Sequence, residues 1–111
     1  MEGSILNTIK QMLGLSTDDD TFDLDVVTLI NTTFMSLQQI GVGPEGGFSI
    51  SGAEDSWQDF MDDDKLYLGV REYIYLKVRC VFDPPTSSSV ADAMKKNMDE
   101  LEWRLLVQTG K

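Results

Sequence analysis

Apolar residues recur three and four positions apart along most of this chain, the spacing of one buried helix face. Ile5, Ile9, Met12 and Leu13 make the first such stripe. Ser4 is placed as its N-cap and Gly14 ends it, which predicts a helix over residues 5–13. A polar, acidic turn follows over residues 16–21. Within it Asp18, Asp19 and Asp20 stand just ahead of the next helix, where negative charge suits the positive end of a helix dipole. That second helix is predicted over residues 22–40, with Phe22, Val26, Leu29, Ile30, Thr33, Phe34, Leu37 and Ile40 turned inward and Gly41 as its stop.

The helical pattern then breaks. Residues 41–52 hold five of the nine glycines and cannot be regular helix, so they form a loop, with a short extended piece at Phe48 and Ile50. Ser56-Trp57-Gln58-Asp59 opens a short helix through Met61, with Asp59 where a capping box favours Glu or Gln. Asp62, Asp63 and Asp64 precede a fourth helix over residues 65–82, where helix capping explains them. Twelve of the seventeen residues from Leu66 to Phe82 are apolar, so this helix is expected to be central. Asp83-Pro84-Pro85 ends it as a structural corner, with Asp83 placed to cap. A last helix runs from Ser88 or Ser89 to Gln108 on an inner stripe of Val90, Met94, Met98, Leu101 and Leu105. No repeat or second-domain boundary interrupts residues 1–111. The expectation is a single all-α domain of four main helices and one short one, with a glycine-rich loop between the second and third.

Composition changes the picture in one respect. Nineteen Asp and Glu against nine Lys and Arg give a formal charge of −10, a surface that repels nucleic-acid phosphate or simply keeps a small protein soluble. Cys80 is the only cysteine, so no intrachain disulfide forms and a reducing compartment is expected. The start of the chain lacks the basic and apolar regions of a secretory signal. The longest apolar stretch, residues 66–82, is broken by Arg71, Glu72, Lys77 and Arg79 and is short for a membrane span, so no membrane partner is expected.

The residues that would carry chemistry are missing. There is no histidine, which removes the commonest general base and transition-metal ligand. Cys80 lies among Val78, Val81 and Phe82, an apolar setting that raises a thiol pKa and leaves it inert, so it reads as a buried structural thiol. Neither frame of an EF-hand loop fits, since a start at Asp19 puts Leu24 where glycine is needed and a start at Asp18 puts Phe22 at an acidic position. Gly41-Val42-Gly43-Pro44-Glu45-Gly46 mimics a phosphate-binding fingerprint but follows a helix, and Pro44 lacks the amide such a loop uses. No catalytic, cofactor or metal residue is assigned, and an interaction protein is the leading class.

Four stretches carry a resemblance. Tyr73-Ile74-Tyr75-Leu76-Lys77-Val78-Arg79-Cys80-Val81-Phe82-Asp83-Pro84-Pro85-Thr86-Ser87-Ser88 resembles the head–tail connector (adaptor) family of siphophages and prophages, with Phe-Asp-Pro-Pro-Thr-Ser its most specific piece. Glu100-Leu101-Glu102-Trp103-Arg104-Leu105 is similar to that family as well, and so are the loop from Ile40 to Phe48 and the Trp57-Gln58-Asp59-Phe60 turn. The resemblance implies a virion subunit without enzymatic activity, assembled in the host cytoplasm. It implies a ring of self-associated copies, dodecameric in the virion, beneath the portal protein and above a head-closure or tail-completion protein. DNA would pass through without specific binding, and an acidic lining would help it slide. Mutual repulsion of acidic subunits predicts that salt favours ring formation.

Phe48 and Ile50 in the loop, with Trp103 and Leu106 on the last helix, are the candidate contacts to neighbouring subunits. The loop side chains have no obvious intrahelical home, and Trp103 falls off the inner stripe. The rival reading of Trp103 is that it broadens the core face. The rival function is an acidic DNA mimic or inhibitor that uses the same charge to bind a basic partner.

Overall fold

The computed structural model describes residues 3–62 and 64–109 and is all-α, with five helices in the order α1 (Ile5–Met12), α2 (Asp23–Gln39), α3 (Trp57–Phe60), α4 (Asp64–Phe82) and α5 (Ser88–Thr109). The expected boundaries hold within a residue or two. Asp63 lies outside the described residues. Ser4 caps α1, its Oγ accepting from the Asn7 N–H at 3.1 Å. Ser56 and Asp59 form a reciprocal capping box on α3, with each side chain accepting from the other's backbone N–H.

Glycine ends both of the first two helices by the same device. After α2 the Gly41 N–H donates to the Gln38 carbonyl and the Val42 N–H to the Leu37 carbonyl, while Gly41 takes φ 88°. After α1, Gly14 (φ 82°) and Leu15 donate in the same way to Gln11 and Lys10. A side chain at either glycine would be strained at that φ. Val42 and Leu37 are both buried, which supplies the apolar contact that accompanies this turn.

The core joins Ile5, Leu6 and Ile9 of α1 to Val26, Ile30, Phe34 and Leu37 of α2 and to Val70, Tyr73, Ile74 and Val78 of α4. α4 packs against α1, α2 and α5, so its central place is as expected. It is not enclosed, however, because Leu68 and Val81 are exposed. α5 rests on α4 through Met98, Glu102 and Leu105, which meet Cys80, Tyr73 and Gly69. The molecule is flat, 37 × 36 × 20 Å, with α4 between α2 and α5.

Several expected positions turn out differently. Phe22 and Val90 are exposed, because each stands at a helix end beyond the reach of the core; Phe22 instead meets the edge of Phe82 at 5.4 Å. Asp18, Asp19 and Asp20 precede α2, whose first turn itself holds Asp23 and Asp25. The Asp19 carboxylate accepts from the Thr21 hydroxyl (2.6 Å) and N–H (3.0 Å), which holds its pKa below the ordinary value. Ser87, not Asp83, meets the first turn of α5, its Oγ accepting from the Val90 N–H at 3.5 Å. Cys80 is half-buried, not buried, with Sγ 4.0 Å from Met98 Sδ.

Candidate assembly surfaces

The glycine-rich loop is fastened to the body of the protein. Asn31, on α2, clamps it with both ends of its amide: Nδ2 donates to the Ile50 carbonyl at 3.0 Å and Oδ1 accepts from the Ile50 N–H at 2.7 Å. Gln38 Nε2 donates to the Glu45 carbonyl at 2.9 Å. Phe48 stacks edge-on against Phe34 (5.2 Å) and tilts against Phe60 (5.2 Å), and Phe34 and Phe60 lie 4.6 Å apart. No strand forms among the described residues, and the expected extended piece is irregular backbone.

These contacts take Ile50 out of the expected interface. Ile50 is only 4% exposed and belongs to the core, so it has no surface to offer a neighbour. Phe48 is half-buried in the aromatic cluster. The reason is the Asn31 clamp, which satisfies the loop backbone and lets its apolar side chains turn inward. Trp103 behaves differently. It is 63% exposed on the side of α5 away from the core, with Val107 exposed one turn on and Leu106 half-buried beside it.

A second apolar edge was not singled out by the sequence reading. On α2, Leu24 is 79% and Met35 66% exposed, with Thr28 and Thr32 exposed between them. At its N-terminal end this edge borders an open groove of about 480 Å³ lined by Leu24, Asp25, Thr28, Leu29, Val81 and Phe82. The signal was present: Leu24 and Met35 are apolar residues that fall outside the inner spacing of their helix.

One buried charge was also missed. Lys10, on α1, is 1% exposed, and its Nζ forms a 2.7 Å ion pair with Asp23 and donates to the carbonyls of Asp19 (2.7 Å) and Thr17 (3.4 Å). It ties the acidic turn to α1. Among the described residues, no group of three or more His, Cys, Asp or Glu gathers to hold a metal, and no helix is long and apolar enough to cross a membrane.

A flat, all-helical subunit with large apolar side chains exposed on two separate edges has the features of a protein–protein assembly component. The comparison with protein families gives the class its name: residues 5–111 match the phage connector protein family, and the chain belongs to it. It is therefore a structural connector and virion component of a bacteriophage. Neither the curated proteins nor the solved structures contain a match to it.

Proposed function

We propose that this chain forms a ring beneath the portal vertex, extends the channel through which DNA passes, and receives a head-closure or tail-completion protein on its far side, without catalysing a reaction. The observation that carries this reading is the family match across residues 5–111. The exposed apolar edges support it, because a ring subunit needs two surfaces that meet copies of itself. The acidic residues are concentrated in one part of the chain: residues 1–64 hold thirteen of the nineteen acids, whereas residues 65–111 hold eight basic residues against six acidic ones.

Electron microscopy of particles made with the gene silenced tests the proposal. Tailless heads, or emptied heads beside complete free tails, are the expected result. Normal tailed virions would contradict it and favour the mimic.

A further inference from the structure

Resting on the ring reading, we propose that neighbouring copies meet edge to edge. The outer face of α2 on one copy receives the outer face of α5, led by Trp103, from the next.

The two faces belong to different flanks of α4. Gly69, Tyr73 and Cys80 turn toward α5. Val70, Ile74 and Val78, roughly 100° further round the helix, join the core shared with α2. Each outer helix therefore buries one side and leaves the other uncovered. A subunit carrying one contact surface on each of two different edges makes heterologous contacts, which close into a ring when the rotation permits. An isologous pairing of two α5 faces would cover Trp103 but stop at a dimer and leave the α2 face bare.

The α2 face is chemically suited to being covered. No charged residue occurs between Asp25 and Glu45. The hydroxyls of Thr28 and Thr32 are already spent within the helix, donating to the carbonyls of Leu24 (2.8 Å) and Thr28 (3.0 Å). The exposed threonines thus present methyl groups between Leu24 and Met35, and covering them leaves no hydroxyl donor unpaired.

The register between neighbours follows from the subunit itself. Phe22 meets Phe82, and Cys80 and Gly69 meet Met98 and Leu105, so α2 and α5 both run antiparallel to α4 and parallel to each other. The Thr109 hydroxyl donates to the Ile40 carbonyl, fixing their C-terminal ends level at an offset of 69 residues. Both helices rise about 1.5 Å per residue. Copies set side by side without axial shift then bring Met35 level with Trp103 and Arg104, and Asp25 level with Met94 and Lys95. Lys96, exposed on α5, comes within a turn of Asp25, which gives opposite charges at one end and apolar groups at the other. Asp92 and Asp99 flank Lys96 a turn away, so the pair sets register more than strength.

Cross-linking tests the contact. In a Cys80→Ser background, the double variant Met35→Cys/Trp103→Cys is treated with a short bismaleimide, and its oligomers are followed by light scattering. A covalent ladder beyond the dimer is expected from the double variant, with neither single variant exceeding background. Thr28→Cys/Lys96→Cys repeats the test while keeping Met35 and Trp103. Lys96→Glu is expected to raise the concentration for half-assembly several-fold, and Asp25→Lys in the same chain to restore it. Dimers from Trp103→Cys alone would replace this contact with a self-paired α5 edge. Oligomers that give no ladder from either pair would overturn the edge pairing and leave the ring reading intact. A chain that stays monomeric at every concentration would also overturn the pairing, and the silenced-gene particles judge the ring reading separately.

Discussion

Lys10 shows how one buried side chain can organise an acidic segment. Its ammonium group compensates Asp23 and two carbonyls in the turn before α2. Replacing it with Met keeps the volume but leaves those acceptors unpaired. Lys10→Met should cost about 2–4 kcal/mol, read as a lower urea midpoint at unchanged slope. A loss below about 0.5 kcal/mol would show that the turn is held by its own hydrogen bonds. Tyr73 makes a prediction at the other end of the pH scale. Burial first, then the charge of Glu102 and the hydrogen bond to it, raise the phenol above its ordinary value of 10.0. The folded chain keeps a proton that the unfolded chain releases, so this contribution to stability is whole below pH 10.0 and is lost as pH rises beyond it. Melting temperatures should fall above that pH, and Tyr73→Phe should remove that component of the fall. Equal slopes in the two proteins would mean that the raised pKa has no bearing on stability.

At the scale of elements, the helices were legible because their signals are local. Ser4, Gly14, Ser56 and the two prolines at Pro84 and Pro85 act within a few residues of where they stand, and period and capping agree. Apart from the Leu24 and Met35 edge, whose signal was local, what escaped the sequence depends on contacts between distant segments. The Asn31 clamp on Ile50 spans 19 residues and decides whether the loop's apolar groups face in or out. Nothing near Ile50 in sequence signals that partner, so the loop read as a candidate interface. Trp103 keeps its surface on the outer part of α5, with Leu106 half-buried beside it, because falling off an inner stripe is a local property of a helix. The two groups should separate on substitution. Ile50→Ala should cost roughly 2–4 kcal/mol in thermal or urea unfolding of the subunit. Trp103→Ser should leave unfolding within about 0.5 kcal/mol and weaken self-association instead. The opposite assignment of effects would place Trp103 in the core and return the loop to the surface.

At the scale of the molecule, charge is segregated. The acidic excess lies in residues 1–64, whose only basic residue, Lys10, is buried. Bulk repulsion between subunits of charge −10 acts across a body 37 Å wide. The Debye length shrinks from about 30 Å at 0.01 M salt to about 10 Å at 0.1 M and about 3 Å at 1 M. Repulsion is thus screened first, and the short Asp25–Lys96 contact only at much higher salt. Self-association should strengthen between about 0.01 and 0.1 M salt and weaken toward about 1 M, as sedimentation velocity would show. A steady decline from the lowest salt would mean that attraction between unlike faces outweighs the net charge. The most direct measurement is electron cryo-microscopy of the neck of the virion, at a resolution that traces helices. The account predicts a closed ring of this chain beneath the portal, with α2 of each copy against α5 of the next. A neck without this chain would contradict it.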